Sequence, residues 1–226
     1  MSAAERLMLA CVAIIAGAVL AGCGSKTDAN ATNFGAAIER HLKAGERLCL
    51  GVDRWPVDLA ANEVAADTRG RPWSRGVQMR ALQDAGLVSA SAIEIDEGAP
   101  VGKTTGRMRQ LMRYTLTEAA KPYAREAERV RLSWETDQPI ELLDLCWGRK
   151  ELDRVVKWEG PMEFGEYKTA RVIYTYKIVD VAGWAMRSEM QKVFRTIESE
   201  LKQAGREDVK SVQLTSEGWE VQRRRF

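Results

Sequence analysis

The chain has 226 residues, a formal net charge of +2 and 45% hydrophobic residues. The nearly balanced charge argues against a nucleic-acid-binding protein, because that class needs a strong local excess of lysine and arginine. The hydrophobic content and the seven tryptophans argue against a disordered chain, which would be poor in both. The composition predicts a globular protein without a nucleic-acid partner.

The start of the chain has the pattern of an export signal. Arg6 and the amino terminus outweigh Glu5, and an uncharged, mostly apolar stretch then runs from Leu7 to Gly22. A membrane-spanning helix needs about 20 apolar residues, so this shorter stretch is not expected to remain as a permanent anchor. We predict that residues 1–22 form a cleaved signal peptide.

The end of this stretch resembles a known processing site. Leu20-Ala21-Gly22-Cys23 is similar to the lipobox of bacterial lipoproteins, in which Leu and two small residues precede a Cys. The resemblance covers only the first 23 residues. It implies cleavage before Cys23, a diacylglyceryl thioether on its sulfur and usually a further acyl chain, such as palmitate, on the new amine. An ordinary signal peptide is the alternative.

The same resemblance implies a location. A lipoprotein of this type is anchored by the lipid on Cys23 to a membrane of the bacterial cell envelope and faces the periplasm. Gly24, rather than Asp, after the Cys resembles the pattern of lipoproteins that are sent to the outer membrane, so the outer membrane is favoured over the inner one. The membrane is therefore the first expected partner.

Two further cysteines remain in the mature chain, Cys49 and Cys146. An exported protein meets an oxidising compartment, where a pair of cysteines commonly forms a disulfide. We predict a Cys49–Cys146 disulfide. Two buried free thiols are the alternative, because Cys is among the most frequently buried residue types.

In chain order, residues 23–33 are small and polar and are expected to form a flexible tether, followed by a globular domain over 34–226. The apolar spacing and the turn residues predict the following elements of that domain. They are a helix from Asn33 to Gly45, a strand at 47–52, a loop at 53–75, a helix at 74–85 ending before Gly86, a strand at 92–96, a loop at 98–106, a strand at 107–116, a helix at 117–130, strands at 142–147, 152–158 and 167–179, the last two joined by Glu159-Gly160-Pro161 and Gly165, a helix from Ser188 to Leu201 with Ser188 and Gln191 as a capping box, and a strand at 209–214.

These elements predict an α+β fold with antiparallel hairpins packed against about four helices. One alternative is a pair of related lobes, 34–138 and 139–226, because Leu48-Cys49-Leu50-Gly51 resembles Leu145-Cys146-Trp147-Gly148. The segment 78–123 resembles part of a winged helix-turn-helix in its order of elements, so such lobes would be winged-helix-like in shape. The DNA-binding function of that family is not expected here.

The candidate binding residues lie on the strand at 107–116. Met108, Met112, Tyr114 and Leu116 alternate with Arg107, Arg109 and Arg113. This alternation predicts a half-buried strand with a basic outer face. Such a face could meet anionic headgroups, cell-wall acids or an acidic protein; a solvated strand face without a partner is the alternative.

No arrangement of residues indicates catalysis or a cofactor. His41 is the single histidine, and a zinc site is built from several His and Cys side chains. The sequence from Gly98 to Thr104 imitates a phosphate-binding loop, but it has three residues between its glycines instead of four. We expect no metal, no nucleotide and no catalytic residue.

The sequence therefore predicts a non-catalytic envelope lipoprotein that binds a protein or an envelope component, in a narrower version an immunity or accessory lipoprotein that blocks a partner. The alternative is a cell-envelope enzyme with an unrecognised active site. A groove with buried carboxylates of raised pKa would favour that alternative.

The lipidation of Cys23 is directly testable. Intact-mass analysis of the membrane-extracted protein should show loss of residues 1–22 together with added acyl mass. The variant Cys23→Ser should lack the acyl mass and leave the membrane fraction, because no thioether can form on Ser. An unmodified Cys23 in a chain that retains its first 22 residues would contradict the prediction.

Overall fold

The computed structural model describes residues 25–45, 47–65, 73–96, 106–126 and 142–222. Within these ranges the chain forms five α-helices and nine strands. The helices are α1 (Ala31–Gly45), α2 (Ala61–Ala65), α3 (Arg75–Asp84), α4 (Ser188–Val193) and α5 (Arg195–Gln203). The strands are β1 (Arg47–Cys49), β2 (Val57–Ala60), β3 (Val88–Asp96), β4 (Met108–Leu116), β5 (Ala124–Glu126), β6 (Leu143–Phe164), β7 (Tyr167–Val179), β8 (Glu207–Thr215) and β9 (Gly218–Val221).

The predicted α+β class, with hairpins packed on about four helices, is wrong. Strand residues outnumber helical residues, and the main element is a curled antiparallel sheet. Two of the helices, α2 and α4, have only five and six residues. Burial of apolar surface is therefore organised by the sheets, and the helices cover parts of them.

Two antiparallel sheets form the framework. The larger sheet has six strands in the order β1-β6-β7-β8-β9, with β5 added beside β6, and the smaller sheet has the order β2-β4-β3. Every pairing between neighbouring strands is antiparallel. Consecutive strands such as β6 and β7 can therefore be joined by a hairpin, whereas β1 pairs with β6 across about 100 residues of sequence.

One long hairpin dominates the larger sheet. The strands predicted at 142–147 and 152–158 are one continuous strand, β6, and the first part of the expected connection, 159–161, lies inside it as a bulge. Gly160 has φ +102°, and a Cβ there would lie 3.0 Å from the backbone nitrogen of Met162. Glycine therefore lets the strand bend without ending, and the chain reverses at Gly165, the later part of the expected connection.

Two predicted helices differ from the observed structure. In place of the helix at 117–130, the described part has a single 3-10 turn, Glu118–Ala120, and then β5. Pro122 removes a backbone donor at this point, and Cys146 donates to the carbonyl of Tyr123. Residues 127–130 lie outside the described residues. Pairing with β6 therefore outweighs the local helical pattern.

The helix predicted from Ser188 to Leu201 is broken at Phe194, whose φ of −106° and ψ of 83° are not helical. The expected capping box is also wrong: Arg187 occupies the N-cap position without a side-chain cap. The amide of Gln191 instead donates to the carbonyls of Ala185 and Met186, at 3.4 and 3.2 Å. The apolar stripe is kept, because Met190, Val193 and Ile197 remain buried on both sides of the break.

Other predicted elements are confirmed. The helix expected before Gly45 is α1, the helix at 74–85 is α3, and the strand at 167–179 is β7. Gly86 adopts the left-handed conformation that ends α3, with φ +75°. The loop expected at 53–75 proved wrong in part, because β2 and α2 lie within it.

The core consists of two clusters that do not follow the predicted lobes. The first cluster combines Leu48, Leu82 and Tyr114 with Trp147 and Ile197 from the second half of the chain. The second packs α1 against β7, β8 and β9. Strand β1 also pairs with β6. The two halves are therefore interleaved, and the expectation of separate winged-helix-like lobes is wrong.

Helices α2 and α3 touch at Gly76. A Cβ at this position would lie 2.5 Å from the carbonyl oxygen of Glu63 and 3.0 Å from the Cα of Val64. Both atoms belong to the backbone, so the contact cannot be relieved by a side-chain rotation. Only glycine allows the two helices to approach this closely.

We predict that Gly76→Ala lowers the free energy of unfolding by about 1–3 kcal/mol, because the added methyl group must push the helices apart. Gly183→Ala is the matched control: a Cβ there meets nothing within 4 Å. Chemical denaturation of both variants measures the difference. Equal stability of the two variants would show that the α2–α3 contact is not tight.

Candidate functional site

The predicted basic strand lies in the centre of the smaller sheet. Met112, Tyr114 and Leu116 of β4 pack on the first core cluster, as the alternation predicted, whereas Met108, expected on the same side, is 59% exposed. Side chains alternate along a strand, so Arg109 and Arg113 are directed to the opposite face, and Arg107 immediately precedes the strand. Arg107 and Arg109 are exposed, and Arg113 is half-buried. We call this outer side of the smaller sheet the arginine face.

Arg113 forms a bidentate ion pair with Asp58. Its Nε and one terminal nitrogen donate to the two carboxylate oxygens of Asp58, at 2.8 and 2.7 Å. The hydrogen bond that Arg113 donates to Asp58 raises the pKa of Arg113 above its usual value. Since Asp58 stands opposite Arg113 in the β2–β4 pairing, this bidentate pair joins the two strands. Arg113 therefore joins β2 to β4, and Arg107 and Arg109 are the exposed arginines of the arginine face.

Apolar side chains lie between the arginines. Ile95 stands opposite Arg109, and Ile93 stands opposite Leu111. Ile93 and Leu111 are half-buried, and Ile95 is 37% exposed. An apolar centre with a charged rim is typical of protein-binding surfaces. The isoleucines were not among the predicted site residues, although their alternation in Ile93-Glu94-Ile95 could have indicated them.

Strand β3 gives the arginine face an open edge. Within the described ranges, β3 is paired on one side only, with β4. Its nine residues include no Lys or Pro, the two residues that most often protect an edge strand. Ser89, Ser91 and Ala92 are small and exposed. A strand of another chain could therefore add to this edge beside the arginines.

The structure joins Cys49 and Cys146 by a disulfide, with the two Cα atoms 3.8 Å apart and a sequence separation of 97 residues. The two residues stand opposite each other where β1 pairs with β6. The bond closes a loop of almost the whole first half of the mature domain, which limits the freedom of the unfolded chain. It therefore ties the first half of the chain to β6.

Asp144 lies beside the disulfide. Its carboxylate oxygens accept hydrogen bonds from the backbone N–H groups of Gly51, at 2.9 Å, and Val52, at 3.3 Å. Burial is the main cause that raises the pKa of Asp144; hydrogen bonds from three backbone N–H groups, those of Gly51, Val52 and Leu145, act in the opposite direction, and the charge of Asp53 raises it further. Because both oxygens are occupied by backbone donors, this carboxylate holds the turn after β1 and is not aimed at a substrate.

A second polar group lies between β6, β7 and α5. The Tyr176 hydroxyl donates to Glu200 at 3.0 Å, and Nζ of Lys150 lies 3.0 Å from the same carboxylate oxygen. Nζ of Lys150 also lies 4.6 Å from the centre of the Tyr176 ring. Burial is the main cause that raises the pKa of Tyr176 to about 12, so its hydroxyl stays protonated. The Tyr176 hydroxyl and the Lys150 ammonium group both bind the Glu200 carboxylate, and these contacts hold α5 on the sheet.

A shallow cleft lies between α3 and α4. Its walls carry Arg80, Asp84, Arg187 and Glu189 around the apolar side chains of Val77 and Met190. Charges of both signs line the cleft, so it does not select a ligand of one charge. His41, the single histidine, lies on α1 and not at this cleft.

The free end of the β6–β7 hairpin is the second exposed surface. Phe164 is 66% exposed, Tyr167 is 62% exposed and Met162 is 44% exposed. These three residues define what we call the aromatic end. The sequence did not indicate them as a surface, because the first strand was expected to end at Trp158 and the residues up to Gly165 to form the connection. Trp158, by contrast, packs on Phe34 of α1, with ring centres 5.5 Å apart.

Residues 25–30, within the segment predicted as a tether, pack on the start of β9. The indole nitrogen of Trp219 donates to the carbonyls of Thr27 and Asp28, at 3.2 and 3.1 Å. The side-chain amide of Asn33 donates to the carbonyls of Ser25 and Asp28. Asn30, rather than Asn33, accepts a hydrogen bond at the beginning of α1. The chain is therefore held on the domain from Ser25 onward.

Comparisons of the chain with protein-family models, with curated proteins and with solved structures find no match. In the part of the chain that the structure describes, no helix is both long and apolar enough to cross a membrane. The same residues contain no group of three or more His, Cys, Asp or Glu that could hold a metal ion. The loop from Gly98 to Thr104 lies outside the described residues.

The raised pKa of Asp144 predicts a pH dependence of stability. The folded protein holds this proton more tightly than the unfolded chain, so the contribution of Asp144 is most favourable below its ordinary pKa. This contribution is lost as the pH rises through the folded pKa. Asp144→Asn keeps one acceptor oxygen and removes the titration.

We therefore expect the stability advantage of the wild type over Asp144→Asn to shrink as the pH rises above about 4. Urea denaturation across this pH range measures it. High salt should leave the trend in place, because burial rather than the charge of Asp53 is the main cause. A wild-type advantage that grows with pH would mean that the backbone donors dominate.

Proposed function

We propose that this chain is a lipid-anchored, non-catalytic protein of the bacterial cell envelope, which binds an acidic protein partner through the arginine face. Its anchor is the lipid on Cys23. The proposal for the location rests on Leu20-Ala21-Gly22-Cys23 and on the export signal before it. The disulfide between Cys49 and Cys146 supports it, since such bonds persist in oxidising compartments.

The binding proposal rests on one observation. Arg107 and Arg109 flank a partly exposed apolar strip, and the strip lies beside the open edge of β3. Apolar side chains supply most of the affinity at such a surface, and the arginines select a partner of opposite charge. Strand addition at the edge would supply backbone hydrogen bonds.

An extended acidic segment of a partner protein fits the arginines, the apolar strip and the open edge of β3. Its backbone would pair with β3, its carboxylates would meet Arg107 and Arg109, and its apolar side chains would cover Ile95. A protein that occupies a partner in this way fits an immunity or accessory role, in which binding itself blocks or supports the partner's activity.

Site-specific photocrosslinking tests the proposal in the lipidated protein. A photoreactive residue at Ser91, on the exposed side of β3, should form one crosslinked product in host cells. Charge reversal by Arg107→Glu and Arg109→Glu should weaken this product by about tenfold or more, because the acidic partner is then repelled. Raised salt should weaken it in the wild type as well.

The matched control reverses two exposed arginines elsewhere, Arg154→Glu and Arg206→Glu, and changes the net charge by the same amount. This variant should keep the crosslink. A crosslink that survives charge reversal on the arginine face, or one that both variants lose equally, contradicts the proposal.

A further inference from the structure

The aromatic end carries three apolar side chains on one face of the β6–β7 hairpin. Phe164 stands opposite Tyr167, and Met162 stands opposite Thr169. Directly opposed residues share a face of a sheet, so Met162, Phe164 and Tyr167 form one surface. Their exposed fractions of 44% to 66% are high for side chains of this size. Such a cluster at the free end of a hairpin indicates contact with another apolar phase.

The backbone pairing of the hairpin with β8 stops before the aromatic end. Pairing of β7 with β8 ends at Thr169 and Gln213, so Tyr167 and the turn at Gly165 lie past the last paired residues, while β8 itself continues to Thr215. The aromatic end is therefore outside the ladder with β8, and its exposed apolar side chains are available to a partner outside the sheet.

The described N-terminal residues lie at the same end of the sheet. Strand β8 runs toward Thr215, which pairs with Gly218 at the beginning of β9. A Cβ on Gly218 would be 3.1 Å from the carbonyl oxygen of Lys26. Strands β7 and β9 are separated by β8 alone, so they lie about 10 Å apart. The chain therefore leaves the domain at Ser25 near the aromatic end.

Covalent geometry then limits the distance to the lipid. Cys23 precedes Ser25 by two residues, and an extended chain spans at most about 3.6 Å per residue. The sulfur that would carry the lipid is thus within roughly 10 Å of Ser25, counting its side chain. If acyl chains are attached there, the surface of the bilayer must lie against this end of the domain.

The charges around the aromatic end are nearly balanced. Lys168 pairs with Glu163 at 2.8 Å, Arg171 pairs with Glu159 at 2.9 Å, and Lys26 approaches Glu217 at 3.6 Å, while Glu166 in the turn adds one negative charge. A surface of this kind offers little net charge to attract an acidic or a basic protein. Aromatic side chains do prefer the interface between water and lipid, which favours a bilayer as the occupant.

We propose that the aromatic end inserts into the surface of the bilayer that holds the lipid on Cys23, as a second membrane contact; this inference rests on the proposed lipidation. Phe164, Tyr167 and Met162 enter the interfacial region, and Lys168 stays at the headgroup level. The two contacts together fix the orientation of the sheet relative to the membrane, which a lipid on a free tether would not do.

The test uses the full lipidated protein in vesicles of phosphatidylcholine, with no other protein present. Glu166→Cys places a single reactive thiol in the hairpin turn of the processed, lipidated protein, because Cys11 leaves with residues 1–22, Cys23 carries the lipid, and Cys49 and Cys146 are bridged. Glu207→Cys, at the opposite end of β8, is the matched control. Each thiol is labelled with a fluorophore that is sensitive to polarity, and intact mass confirms the acyl groups in each sample.

We expect the label at position 166 to shift its emission toward that of an apolar environment and to be quenched by spin-labelled lipid, in low and in high salt. The label at position 207 should keep the emission of a fluorophore in water and should not be quenched by spin-labelled lipid. In the triple variant Phe164→Ser, Tyr167→Ser, Glu166→Cys the quenching should disappear while the acyl mass remains. Trp73→Ser with Met186→Ser removes two apolar side chains that are equally exposed elsewhere and should leave the quenching at position 166 intact.

A label at position 166 that reports water on acylated, vesicle-bound protein would overturn this inference and leave the proposed anchoring in place. Protection of that label only in membranes that contain other host proteins would also overturn it, by showing a protein as the occupant. Absence of acyl mass on Cys23 would overturn the anchoring and this inference together.

Discussion

The continuous pairing of β6 with β7 is the constraint on which the rest of the structure depends. The first part of β6 supplies Leu145 and Trp147 to the first core cluster, and its middle packs Leu152 and Val155 against the second. Strand β1 joins one side of β6, and β8 joins the far side of β7. Both core clusters are therefore attached to one hairpin. The disulfide and the Asp144 contacts strengthen the point where the first half of the chain reaches it.

The hairpin also explains which elements could be predicted from the sequence. Strand β7 and helices α1 and α3 were predicted within a few residues, because their apolar spacing matches a single face and their neighbours are close in sequence. The helix expected at 117–130 was not found in its described part, because β5 pairs with β6 across about 20 residues of sequence. The pattern of apolar residues within a short segment does not show which distant strand that segment will pair with. Gly160-Pro161 is a usual turn signal, but a positive φ at glycine serves a bulge equally well.

The candidate surfaces were predictable to different degrees. Strand alternation alone placed Arg107, Arg109 and Arg113 on one face of β4. It could not assign Arg113 to Asp58, because β2 was expected to be a loop. The aromatic end could not be predicted, since the exposure of Phe164 and Tyr167 depends on where the hairpin turns and where its pairing with β8 stops. Alternation gives the face of a residue, and only the register between strands gives its neighbours.

The two surfaces differ in the physics of binding, and this difference has a structural consequence. The arginine face would attract a partner through charge, so its association depends on salt, whereas the nearly balanced aromatic end relies on apolar contact and is insensitive to salt. They also lie on different sheets: the arginine face on β4, and the aromatic end on β6 and β7. Both sheets contribute to the first core cluster, which contains Tyr114 of β4 and Trp147 of β6. Close packing in this cluster holds the two sheets in a fixed relative position. Contact of the aromatic end with a bilayer would therefore set the direction in which the arginine face is presented to a partner.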